Sequence, residues 1–278
     1  MNFDNADRAG LPLESGDKIY ELPNGMKVYH VNKHETDFLY KEIFAERSYL
    51  RNGITIAPGA CVFDIGANIG LFSLFAKMEC AEARVYAFEP APELNRILKL
   101  NVSRHGSGVK VYPYGISDSE RDAVFTYYPD YSILSGLHTN ASEDGDVLAS
   151  GIRHQLAASP ARIIEGADEH INRLVKMKLG KKLETKCGLK TLSGIVRETE
   201  IEQIDLLKID AEKSELAILR GIEESDWPKI KQIVLEVHSV REVEVVVPML
   251  RLKGFGISVE KEDQFENSEI FNCFAIRK

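Results

Sequence analysis

Short apolar alternations broken by polar turns open the chain, and a longer rhythm follows them. LPNGMKVYHV sets Asn24-Gly25 between two such alternations, the pattern of a tight hairpin. From 35 to 50 the apolar residues Phe38, Leu39, Ile43 and Phe44 recur at helical spacing, with Thr36 placed to cap the start. CVFDIGANIGLFSLFAK then reads as a strand at 61–65, a glycine turn and an apolar helix. RVYAFEP at 84–90 is a second strand, followed by a helix from Pro92 through Leu100. VKVYPYGISD at 109–118 is a third strand with its exit loop. Three β-α steps in this order predict a parallel sheet with right-handed crossovers.

The rhythm breaks after Asp130, because about 75 residues pass before the next buried strand, IDLLKID at 204–210, where connections of about 4–6 residues are usual. Ile163, Ile164, Ala167, Ile171, Leu174 and Val175 form a helical stripe inside this insertion. A helical lid over the carboxyl ends of the strands is the expectation. SELAILRGI, ending at Gly221, predicts a helix, IVLEVH at 233–238 a strand, and the next stretch a helix closing at Gly254. ISVEKED and IFNCFAIRK are two last strands, antiparallel because only the turn at 266–268 joins them. The fold class is therefore α/β, a doubly wound, Rossmann-like and mostly parallel sheet with a C-terminal antiparallel hairpin, the methyltransferase variant of that fold. Residues 1–58 are the lead-in hairpin and helix, and 59–278 the core, with the lid insertion at about 131–190.

At 278 residues and 44% hydrophobic, the chain has the apolar content for one large core. A net charge of -8 opposes the phosphate backbone, so nucleic acid is not an expected partner. No apolar run is long enough for a membrane span and no signal-peptide pattern opens the sequence, which predicts a cytoplasmic protein with no membrane partner. Cys61, Cys80, Cys187 and Cys273 are scattered without zinc spacing and read as reduced and structural.

Chemistry concentrates in two places. In VFDIGANIG the strand exit carries Asp64, and the turn Gly66-Ala67-Asn68 runs to Gly70. Glycine and asparagine tolerate left-handed backbone, so the turn's amides can approach the amino-acid end of a cofactor, with Asp64 accepting from its ammonium group. Glu89, before Pro90, ends the second strand 23 residues after Gly66, where an acid commonly takes a ribose diol. The G-x-G-x-x-G that cradles a pyrophosphate is missing, which disfavours a nicotinamide cofactor and suits one with a ribose and no phosphate. Ile116 and Ser117, at the third strand's exit, are placed for an adenine.

The second place is the shared edge of the fourth and fifth strands, KIDAEKSE and LEVHS, which brings together Asp210, Glu212, Glu236 and His238. Methyl transfer to a hydroxyl needs alignment, deprotonation and a dry site. His238 is the expected general base, oriented by Glu212, with Asp210 and Glu236 holding cofactor or acceptor. Magnesium or manganese would accept the same side chains, but nothing in the spacing demands a metal and none is assigned. His138, in YSILSGLHTN, leads into the insertion and is kept as a further candidate. Seven basic residues between Arg173 and Lys190 against one acid read as a solvated helix face, or as a surface for a phosphate-bearing carrier or an acidic carrier protein.

VFDIGANIGLFSLF, FEP, LLKIDAEKSELAILRGI and IVLEVH together resemble the FkbM-type methyltransferases over about residues 60–278. LPNGMKVYHVNKHETDFLYKEIF and YSILSGL are similar, more narrowly, to O-methyltransferase domains embedded in modular polyketide synthases and nonribosomal peptide synthetases. The resemblance implies S-adenosyl-L-methionine as cofactor and an acceptor hydroxyl or enol on an intermediate tethered by phosphopantetheine. It also implies an acyl carrier protein and neighbouring synthase domains as partners. One departure stands out: many members read D-V-E-G after the fourth strand, and this chain has Asp210-Ala211-Glu212-Lys213. A sugar-directed or N-directed methyltransferase, or a non-catalytic docking module on the same scaffold, shares the cofactor signals.

Overall fold

A computed structural model describes residues 14, 16–106, 108–157, 167–262 and 269–278, with backbone alone for 154–157. The lead-in is the expected hairpin, β1 (Lys18–Glu21) and β2 (Lys27–His30), antiparallel around Asn24-Gly25. α1 (Lys33–Tyr40) follows, and its cap is not Thr36. Asn32, in extended backbone, accepts from the Glu35 amide at 3.0 Å, while Thr36 sits one turn inside and donates to the Asn32 carbonyl. α1 runs into a π-helical turn at Lys41–Ala45, a feature frequent at functional sites.

The core alternates as read: β3 (Cys61–Ile65), α2 (Leu71–Glu79), β4 (Arg84–Phe88), α3 (Pro92–His105) and β5 (Val109–Tyr112). β6 (Gly115–Ile116), β7 (Arg121–Tyr127), α4 (Ala141–Ala157), α5 (Ala167–Leu179) and β8 (Leu183–Lys190) come next, then α6 (Leu192–Thr199) and β9 (Leu206–Ile209). The chain finishes with α7 (Glu215–Arg220), β10 (Gln232–Val237), α8 (Val240–Leu252), β11 (Phe255–Lys261) and β12 (Phe271–Arg277). Seven strands form one sheet in the order β5-β4-β3-β9-β10-β12-β11. Only β12 runs against its neighbours, because it inserts between β10 and β11.

Both faces of this sheet are buried, so its central strands are apolar at successive positions. Val62, Val85, Leu206 and Val234 pack toward the hairpin, α2 and α3. Phe63, Leu207, Ile233 and Leu235 pack toward α6, α7 and α8. The fully buried Asn101 of α3 fastens the lead-in, accepting from the Tyr29 amide and donating to the Tyr29 and Ile69 carbonyls.

The insertion differs from a purely helical lid. α4 and α5 are there, but β7 and β8 pair antiparallel and β6 joins β8 in a second, three-stranded sheet. Arg173, Lys176 and Lys178 therefore lie on α5 while Lys186 and Lys190 lie on a strand, so the basic run is not one helix face. Of the predicted stripe, Ile171 is buried, and Ile163 and Ile164 fall outside the described residues, as does the turn at 266–268. The four cysteines are free, three of them buried. Among the described residues no helix is long and apolar enough to cross a membrane.

Candidate active site

The strand order reverses between β3 and β9, and the loops leaving their carboxyl ends open the crevice where doubly wound sheets take ligands. The cavity there has about 1490 Å³ of free space, its open mouth included.

The turn after β3 holds three residues in left-handed backbone, Gly66, Asn68 and Gly70. The reason at Gly66 is not ligand approach: a Cβ there would lie 1.7 Å from the Asp210 carbonyl oxygen, so glycine lets the exits of β3 and β9 touch. At Gly70 a Cβ would meet Leu98 of α3 at 2.3 Å. The Gly66 and Ala67 amides donate to the Phe88 carbonyl, and the Asn68 amide donates to Glu89 Oε2 at 2.8 Å. The other Glu89 oxygen accepts from the Ala91 amide at 2.8 Å. Burial pushes the Glu89 carboxyl up to about 7 against the pull of these two amides. Beside it Pro90, Leu94, Ile116 and Phe125 supply an apolar wall.

Across the crevice stands a buried cation that the sequence reading passed over. Lys208 Nζ lies 3.3 Å from Asp64 Oδ1 and 3.4 Å from Asp210 Oδ2, and donates to the Gly66 carbonyl at 3.0 Å. Burial alone would lower its pKa, but Asp210 and Asp64 outweigh that and hold it above the ordinary lysine value. Asp210 also accepts from the Tyr49 hydroxyl at 2.9 Å, and Glu42 of the π turn lies 3.4 Å from the same hydroxyl. Burial and the neighbouring Asp210 raise Glu42 to about 8.

His238 closes the far end. Its Nε2 is 3.6 Å from Glu236, 3.9 Å from Glu215 and 4.0 Å from Glu212, and has no hydrogen-bond partner among the described residues. Glu212 is thus the farthest of the three and does not orient the ring by a hydrogen bond, while Glu242 accepts from the His238 amide. Burial lowers the imidazole's pKa and keeps it neutral at pH 7. Burial, then the charge of Asp210, raises Glu212 and Glu236 well above the ordinary carboxyl value, and burial lifts Glu215 to about 8.

Residues 64–257 match the methyltransferase FkbM domain family. The chain belongs to the FkbM-type methyltransferases. It is 40% identical over 257 residues to the 31-O-demethyl-FK506 methyltransferase FkbM of Streptomyces tacrolimicus, covering 92% of this chain and 95% of that one. It is 37% identical over 266 residues to the AMB antimetabolite synthetase AmbE of Pseudomonas aeruginosa, covering 92% of this chain but only 12% of AmbE. Methyltransferase sdnD of Sordaria araneosa is 32% identical over 249 residues, with 86% and 89% covered.

FkbM-type methyltransferases depend on S-adenosyl-L-methionine, and the donor set here fits that cofactor. Each Glu89 oxygen accepts a single amide and retains capacity for a ribose hydroxyl. Pro90 and Ile116 would face the adenine, and Asp210 would attract the cationic amino-acid end. Gly66, Ala67, Asn68, Glu89, Pro90, Ile116, Asp210, Glu212, Glu236 and His238 all line this cavity. Asp64, Gly70 and Ser117 do not. Asp64 is fully buried, accepting from Ser73 of α2 at 2.7 Å besides facing Lys208. Ser117 is buried in the turn held by Arg121 and Asp118. His138 is exposed and outside the cavity wall. The departure at 213 is also visible: Lys213 has φ 68, a conformation that glycine adopts freely.

Proposed function

We propose that this FkbM-type methyltransferase is an O-methyltransferase that methylates a hydroxyl or enol of a polyketide intermediate tethered to an acyl carrier protein. The observation that carries the reading is His238 Nε2, neutral, without a hydrogen-bond partner among the described residues and set in the cavity wall. When bound, S-adenosyl-L-methionine supplies a methyl group on a sulfonium. His238 takes the acceptor's proton as the oxygen forms its bond to the methyl carbon. The apolar walls from the 131–137 segment and α4 keep water out.

Two further points support a carrier-bound acceptor. Lys178 of the basic run lies 4.9 Å over the ring of Tyr131, which lines the cavity, so positive charge stands beside the wall where an acidic carrier or a phosphopantetheine phosphate would arrive. The likeness to a 12% slice of AmbE suits a domain served by neighbouring synthase domains. The test offers S-adenosyl-L-methionine with a β-hydroxyacyl group on a phosphopantetheinylated carrier protein, or with a free sugar, and locates the methyl group by mass spectrometry. Methylation of the sugar alone overturns the proposal. With the tethered acceptor, His238→Ala is expected to lower kcat by about 10²–10⁴-fold while S-adenosylhomocysteine still binds.

A further inference from the structure

The loop leaving β9 carries two consecutive side chains in left-handed backbone, Glu212 (φ 47) and Lys213 (φ 68). That conformation is disfavoured for any residue with a Cβ, and such strain persists where the surrounding structure over-determines it. At 213 the contacts of the lysine ammonium group supply the constraint. Lys213 Nζ lies 3.0 Å from Glu143 Oε2 and 3.0 Å from Asp144 Oδ1, both in the first turn of α4. Glu143 is exposed and adds little. Asp144 is buried, lines the cavity, and its second oxygen accepts from the Asn140 amide at 3.0 Å and faces the Tyr128 hydroxyl at 3.4 Å. One turn on, Val147 and Leu148 line the same cavity, so this end of α4 is part of its wall.

The insertion meets the loop at a second point. A Cβ on Gly136 would lie 3.1 Å from Glu212 Cβ and 3.2 Å from the Glu212 carbonyl oxygen. The 131–137 segment therefore rests on Glu212 while α4 holds Lys213. We propose that Lys213 is a positioning residue that locks α4 onto the 210–213 loop, so that closing the cavity wall and placing Glu212 are one event. The inference rests on the reading that this loop borders the cofactor.

Lys213→Gly removes the cation and relieves the backbone, Lys213→Arg keeps the cation, and Asp144→Asn removes the charge it meets. Hydrogen exchange of the α4 amides and the dissociation rate of S-adenosylhomocysteine are measured for each, beside the melting temperature. Lys213→Gly is expected to melt no lower than the parent, yet to exchange in α4 and release S-adenosylhomocysteine about tenfold faster. Asp144→Asn should behave alike, the double variant should add little, and Lys213→Arg should restore both rates. A lower melting temperature in Lys213→Gly, with exchange rising no more in α4 than in the rest of the chain, would mark an ion pair that only stabilises the fold and overturn the proposal. Exchange in α4 that stays within about twofold of the parent in Lys213→Gly overturns the proposal. Because α4 exchange is read in the ligand-free chain, a failure of S-adenosylhomocysteine to bind any form would strike the cofactor reading alone.

Discussion

Replacing Glu89 tests the cofactor site at its most defined point. Its carboxylate accepts the Asn68 and Ala91 amides at 2.8 Å each and keeps an acceptor position on either oxygen for the two ribose hydroxyls. Hydrogen bonds to an ionised group contribute about 1.5–3 kcal/mol each, so losing two predicts a loss of about 3 kcal/mol or more, at least about a hundredfold in Kd. Ionisation is a small obstacle, since the carboxyl titrates at about 7, and affinity should tighten as pH rises through that value. The assay is calorimetric titration of Glu89→Ala with S-adenosylhomocysteine at pH 8, with circular dichroism to show the fold. Alanine also strands two amides, at about 1–3 kcal/mol apiece, so Glu89→Gln, which keeps the shape, is the companion variant. A folded Glu89→Ala that binds within about threefold of the parent would refute the reasoning.

Two other outcomes follow from the same geometry. Gly66→Ala sets a Cβ 1.7 Å from the Asp210 carbonyl at φ 76, so one loop must move, and a loss of about 3–5 kcal/mol in denaturant unfolding is expected. A change below about 1 kcal/mol would show that the two loops are not pressed together. The ligand-free chain should also lose stability as pH rises from 6.5 to 8. Glu89, Glu42 and Glu215 titrate at about 7, 8 and 8 when folded, and Glu212 and Glu236 are raised in the same sense. A raised carboxyl keeps its proton in the folded state after the unfolded chain has lost it, at about 1.4 kcal/mol per pH unit for each such group. His238 works in the opposite sense, but its contribution is complete above the unfolded value of about 6.5. A melting temperature that is flat or rising over this window contradicts the buried cluster.

The strands of the main sheet were legible because both their faces are apolar, and Gly66, Glu89, Asp210 and His238 because they stand where such strands end. β7 and β8 were not, since only one side of their sheet is buried. In β8 Glu184, Lys186 and Gly188 are exposed between half-buried Thr185 and buried Cys187 and Leu189, and the surrounding lysines hid that alternation. Asp64 looked like a ligand because it precedes the glycine turn. Yet β3 continues through Ile65, and the period of two that sends Val62 toward α2 sends Asp64 to Ser73 on that helix. Lys208 carried a signal that went unread: a charge inside an otherwise apolar strand must have a partner. Glu42 carried none, for only the π turn brings it to Tyr49 and Asp210.

This crowding of carboxylates has a physical reason in the proposed reaction. Burial first, and the charges of Asp210 and neighbouring carboxylates after it, raise Glu212, Glu215 and Glu236 in the ligand-free chain. The proposed reaction would not remove positive charge from the site but move it. With the cofactor supplying a methyl group from a sulfonium, the acceptor's proton would arrive on His238 Nε2, which lies 3.6, 3.9 and 4.0 Å from carboxyl oxygens of Glu236, Glu215 and Glu212. A proton on His238 would favour ionisation of a neighbouring carboxyl, and at an effective dielectric constant of about 20 a pair of unit charges 4 Å apart attracts by about 4 kcal/mol. In the proposed reaction the carboxyls that burial holds protonated in the empty site would ionise beside the protonated His238 and stabilise the imidazolium.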